Sequence, residues 1–126
     1  MSLPVSANTT CDIYRTGNAP PAAPNVAGVA CHLRPDWRAG QDEGDRAGLP
    51  AGLTWTHVLL VDVSVDIRDR YVGTLTDMVQ DSIWVPDKNG TKFVVTFVER
   101  VGRGTASEHK RVYVDRAAPT WPTNEL

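Results

Sequence analysis

Apolar and polar residues alternate in short runs along this chain, and stretches rich in Gly and Pro separate the runs. Alternation is the period of a strand with one buried face; an amphipathic helix repeats on a longer period. Thr10-Cys11-Asp12-Ile13-Tyr14-Arg15 alternates and carries β-formers, which predicts a first strand. Gly28 to Arg34 predicts a second, with Val29, Cys31 and Leu33 on one face and Pro35 ending it. Leu53 to Val65 is the most apolar run, continuous from Val58 to Val61 and rich in β-branched residues, so it reads as a well-buried strand. Asp81 to Pro86 is the next. Asp87-Lys88-Asn89-Gly90 then signals a hairpin, because Asn-Gly readily adopts the positive φ angles of a tight turn. In the partner strand, Thr91 to Arg100, the pattern points Phe93, Val95 and Phe97 one way and Val94, Thr96 and Val98 the other. Glu108 to Arg116 places His109, Arg111 and Tyr113 on one face and Lys110, Val112 and Val114 on the other, as in an edge strand or a strand with one wet face.

The intervening stretches break the sheet. Thr16 to Ala27 contains Gly17, Pro20, Pro21 and Pro24; proline fixes φ and removes a donor, so this is an extended connection rather than a strand. Residues 35–53 lack a hydrophobic period and form a long loop. Asp66 to Tyr71 makes a short turn, and Val101 to Ser107 a Gly/Arg/Ser loop. The polar start, 1–10, and the end, 117–126, with Pro119, Trp121 and Pro122, read as arms. Together these elements predict an all-β fold: a small β-barrel or sandwich of about six strands, with extended N- and C-terminal arms and a long loop. The 126 residues suit a single domain, 1–126, in which 11–116 form the barrel.

Composition narrows the function. Thirteen basic and fifteen acidic residues leave a net charge of −2, mixed along the chain. That balance excludes a strongly basic surface built to bind phosphate backbones, so no specific nucleic-acid recognition is expected. No apolar run approaches the ~20 residues a membrane-spanning helix needs, and no leader pattern opens the chain. A reducing compartment follows, with Cys11 and Cys31 expected as free thiols buried like small hydrophobes. The sequons Asn8-Thr9-Thr10 and Asn89-Gly90-Thr91 are then chance matches.

Candidate chemistry is sparse. Asp62, Asp66 and Asp69 form the densest acid group, best explained by turn formation and pairing with Arg68 and Arg70. His32, His57 and His109 are far apart in sequence and fit no zinc spacing, and Cys31-His32, being adjacent in a strand, point to opposite faces. There is no Gly-x-Ser-x-Gly. Gly102-Arg103-Gly104-Thr105 lacks the lysine and the strand-to-helix setting of a phosphate loop; it reads as a hairpin tip or as a docking loop carrying Arg100 and Arg103. No catalytic, metal or cofactor residue is assigned, and the chain is not expected to be an enzyme. Trp55 and Trp84 lie in predicted strands and belong to a core. Trp37, in a loop, and Trp121, in the tail, are candidate contacts with a neighbouring chain, as are Arg103 and Tyr113.

The order of strands resembles the small head–tail connector proteins of tailed bacteriophages, also called head–tail joining or head-closure proteins. The resemblance runs over Asp12-Ile13-Tyr14-Arg15, then Asp81-Ser82-Ile83-Trp84-Val85-Pro86, the strand Thr91 to Arg100, and the closing Lys110-Arg111-Val112-Tyr113-Val114. It implies a non-catalytic virion subunit, assembled in the bacterial host cytoplasm. Such a subunit forms a homo-oligomeric ring between portal or adaptor and tail proteins, and DNA passes through the ring. The alternative is a bacterial β-barrel binding module for a small ligand or peptide, its groove lined by His109, Arg111 and Tyr113.

Overall fold

The computed structural model describes residues 6–36, 53–69 and 80–117. Six strands form in chain order: β1 (Thr9–Tyr14), β2 (Val26–Pro35), β3 (His57–Asp62), β4 (Ser82–Val85), β5 (Thr91–Val101) and β6 (His109–Arg116). All pairings are antiparallel, in the order β1-β2-β3-β6-β5-β4, and β4 pairs back onto β1 to close a barrel. There is no helix among the described residues. Closure leaves no unpaired strand edge, so β6, expected as an edge or half-wet strand, is flanked by β3 and β5.

The alternating pattern fills the inside. Cys11 and Ile13 of β1, Val29 and Cys31 of β2, Leu59 and Val61 of β3, Ile83 of β4, Phe93 and Val95 of β5 and Val112 and Val114 of β6 form one buried cluster. Ile67, from the segment after β3, joins this cluster and is 4 % exposed. The interior is therefore packed with side chains rather than hollow, as expected of so narrow a barrel. A second cluster lies on the outside of β3, β5 and β6. There Leu53 and Trp55 cover Val58, Leu60 and Tyr113, with Phe97 beside them. Trp55 meets Tyr113 edge-on with ring centroids 5.0 Å apart, and its indole N–H donates to Asp36 at 2.7 Å. This second layer explains why the run from Val58 to Val61 is continuously apolar: each face of β3 has something to bury against.

Two bulges bend the strands. Cys11 pairs with Val29 and Ile13 with Val26, so β2 carries one extra residue opposite Asp12. Gly28 takes φ 63° there, a left-handed conformation that favours glycine, and its N–H donates to Asp12 Oδ1 at 2.9 Å. In β5, Val95 pairs with Val114 and Phe97 with Tyr113, making Thr96 the extra residue. Its hydroxyl donates to the Tyr113 carbonyl at 2.9 Å. This bulge corrects the expected face of β5. Phe93 and Val95 point inward as the alternation predicts, but the extra residue sends Phe97 to the outer cluster and Val98 against the inner one.

The β4–β5 hairpin forms at the expected place by a different device. Neither Asn89 nor Gly90 has positive φ. Asp87 instead organises the turn, accepting the Asn89 N–H on its side chain and the Gly90 N–H on its carbonyl at 2.8 Å. Glycine is required at 90 by close approach, since a Cβ there would stand 2.0 Å from the Val85 carbonyl oxygen.

Candidate functional site

Two of the three buried carboxylates of the described residues sit beside a bulge, and the third holds the segment after β3. Asp12, outward on β1 and 8 % exposed, accepts the N–H of Gly28 at the β2 bulge and of Lys88 in the hairpin. Asp69, 3 % exposed, accepts the N–H of Val98 beside the β5 bulge at 2.7 Å. Asp81, with no exposed surface, accepts the N–H of Arg68 at 2.8 Å and pairs with Arg15 at 2.7 Å. A bulge leaves donors without ladder partners, and a buried donor without an acceptor is costly. Asp12 and Asp69 supply the missing acceptors, and Asp81 does the same for a donor outside the strands.

The richest polar cluster lies at the barrel end that carries Ile67. Arg15, just after β1, bridges Asp66 and Asp81, and Arg68 also pairs with Asp66. The Asp81 N–H donates to the Arg68 carbonyl, the Asp81 carbonyl accepts from Val95, and Gln80 Nε2 donates to the Val95 carbonyl at 2.9 Å. Segments following β1 and β3 are thus tied to β4 and β5 around one carboxylate. Burial pushes the Asp81 carboxyl above the ordinary carboxylate value, against the Arg68 N–H and the Arg15 and Arg68 charges, which favour the ionised form. Its Oδ1 has no hydrogen-bond partner among the described residues. Asp66 is shifted the other way, first by its hydrogen bond from Arg68. Lys110 donates to the Val65 carbonyl at 2.6 Å across the same end, and burial lowers its pKa.

The three acids singled out in the sequence therefore do not converge. Asp62 accepts from the N–H and hydroxyl of Ser64, Asp66 pairs with arginines, and Asp69 serves the bulge. Asp62 does stand opposite His109 in the β3–β6 ladder, but the His109 ring hydrogen-bonds the Ser107 carbonyl of its own loop at 2.8 Å. His32 and His57 lie at other positions, one against the Ser6 carbonyl and the other edge-on to Phe93. Among the described residues no group of three or more His, Cys, Asp or Glu could hold a metal ion.

Of the candidate subunit contacts, Trp37 and Trp121 lie outside the described residues, as do Arg70 and most of the loop 35–53. Arg103 is exposed at the tip between β5 and β6, where Gly102 and Gly104 supply φ 73° and 79°. Tyr113 is 1 % exposed beneath Trp55, and its hydroxyl donates to Glu99 at 3.0 Å. The face expected to be wet is thus largely covered within the chain: His109 is 6 % exposed, and Arg111 pairs with Glu99. Sequence reasoning missed Asp12 as an acceptor for the bulge and the hairpin, and Asp81 with Arg15 as a pair. The one available signal was the presence of acids at positions that alternation marks as sheathed by sheet.

The expected termini also shift. Asn8 is knit into the ladder, its N–H on Cys31 and its side chain exchanging hydrogen bonds with Leu33, so sheet pairing reaches into the 1–10 segment. No helix among the described residues is long and apolar enough to cross a membrane. No protein-family model, curated protein or solved structure matches this chain.

Proposed function

We propose that this chain is a structural virion protein: a subunit of the head–tail connector, or neck, ring that joins portal to tail in a tailed bacteriophage, and that it catalyses no reaction. The observation that carries this reading is the use made of its buried polar groups. Asp12, Asp69 and Asp81 each accept backbone N–H groups of the fold itself. A catalytic acid or base must instead present its carboxyl to a substrate in a shared cleft.

Two further features support the role. The barrel interior is filled, so DNA would pass through a hole bounded by several copies rather than through one barrel. Closure also removes strand edges, so copies would join through faces and loops such as the Arg103 tip, in a fixed arrangement rather than by open-ended strand addition.

The test is assembly. Light scattering and negative-stain electron microscopy of the purified chain, alone and with portal protein from the same phage, should show concentration-dependent rings or a portal-bound ring. A chain that stays monomeric at high concentration and does not bind portal would overturn the proposal.

A further inference from the structure

Cys11 and Cys31 take no part in that role, yet their placement is specific. Thr9 pairs with Cys31 and Cys11 with Val29, which sets the two cysteines diagonally on adjacent antiparallel strands. Both side chains enter the barrel interior and have no exposed surface. The other buried members of that cluster are hydrocarbon side chains. The Cys31 thiol donates to the Thr9 carbonyl oxygen at 3.8 Å. Both are free thiols.

We propose that Cys11 and Cys31 are a latent disulfide that ties β1 to β2 when the protein meets hydrogen peroxide. Either thiol can react first, and exchanging the two roles gives the same product. With Cys31 first, its sulfur attacks one peroxide oxygen and the O–O bond breaks; the released hydroxide takes up a proton and leaves as water. The product is a sulfenic acid. Cys11 sulfur then attacks the Cys31 sulfur and the S–O bond breaks. The departing hydroxide takes the Cys11 proton and leaves as a second water. In sum, two thiols are oxidised by two electrons and one peroxide is reduced to two waters.

A small oxidant suits a site with no exposed surface, since it needs only local opening of the ladder. Diagonal neighbours in a regular sheet stand roughly 7–8 Å apart at Cα, just beyond the usual span of a disulfide. The register is unbroken from Thr9–Cys31 to Cys11–Val29, and the β2 bulge at Ala27 and Gly28 begins one step beyond, so that end of the ladder can give. A strand shift of this kind makes the bond strained and readily reduced, which is the behaviour of a reversible link rather than a permanent staple.

The experiment treats the reduced, folded full-length chain with hydrogen peroxide, quenches in acid, and reads intact mass and a peptide map after alkylation under denaturing conditions. The expected result is loss of two hydrogens and one peptide pair joining Cys11 to Cys31. The rate should be independent of protein concentration, with a rise in Tm of about 5–10 °C that dithiothreitol reverses. Cys31→Ser should gain no cross-link. Because the wild-type chain carries the main readout, a variant that fails to fold does not blunt the test. The proposal is overturned if both thiols remain alkylatable while a free-cysteine peptide in the same tube is oxidised. It is equally overturned if the thiols gain oxygen without joining, or if the link forms between two chains.

Discussion

At the scale of single residues, Asp81 and His57 carry opposite electrostatic lessons. Asp81→Ala removes the acceptor of the Arg68 N–H and one of the two carboxylates that hold the Arg15 guanidinium, whose side chain is 18 % exposed. A loss of about 3 kcal/mol in urea unfolding is expected. Asp81→Asn keeps an oxygen for the Arg68 N–H and removes the cost of burying a charge, so its loss should be less than half that of the alanine variant. Equal losses would mean that the ion pair, not the backbone contact, is what matters. His57 is pushed below its ordinary value of 6.5, first by desolvation and then by Arg116. The folded state therefore binds this proton more weakly than the unfolded chain. The resulting stability is present above 6.5 and is lost as pH falls through the folded value. The Tm of the wild type should drop across that window, and His57→Gln should flatten the drop. Asp66 behaves differently: its lowered pKa puts its own loss at more acidic pH, below 3.8. None of these partners is visible in the local pattern, because Arg15 and Asp81 stand far apart in the chain and meet only when the barrel closes.

Elements are the scale at which the pattern reads best. The expected strands at Thr10–Arg15, Gly28–Arg34, Asp81–Pro86, Thr91–Arg100 and Glu108–Arg116 each overlap an observed strand, within one or two residues at most ends. Only His57–Asp62 of the run from Leu53 to Val65 is strand; Leu53 and Trp55 fold back over its outer face. Alternation puts Phe97 on the wrong face because one unpaired residue, Thr96, resets the period downstream, and nothing at Thr96 itself announces a bulge. The bulge depends on Asp69. Asp69→Ala should cost about 1–3 kcal/mol by leaving the Val98 N–H buried without its acceptor, read as a shift in the urea midpoint. Amide exchange at Val98 should quicken in the same variant. In the hairpin, Gly90→Ala forces a Cβ onto the Val85 carbonyl and should cost about 1–3 kcal/mol, although the φ angle there would tolerate alanine.

For the whole molecule, the second cluster is the feature least expected from alternation alone. Trp55 is 4 % exposed and seals Tyr113, Val58 and Leu60 from solvent. Trp55→Ala should lower stability by about 3–5 kcal/mol and quench much of the fluorescence change on unfolding. If the barrel persisted unaltered without Trp55, the outer layer would be decoration rather than structure. Assembly belongs to this scale too. Arg103→Glu reverses charge at a side chain exposed at the β5–β6 tip, so it should leave the melting curve within about 0.5 kcal/mol while weakening any ring.

The sequence by itself determined the all-β class, the positions of the strands and the inward set from Cys11 to Val114. Those follow from a two-residue period, which is a property of neighbours along the chain. Only the tertiary structure decided that the sheet closes on itself, that a bulge in β5 moves Phe97 and Val98 between faces, that Asp12 and Asp69 serve the two bulges, and that Asp81 meets Arg68 and Arg15. It also decided that Trp55 covers Tyr113. These depend on which donors are left over once distant strands have paired, and no local pattern carries that information.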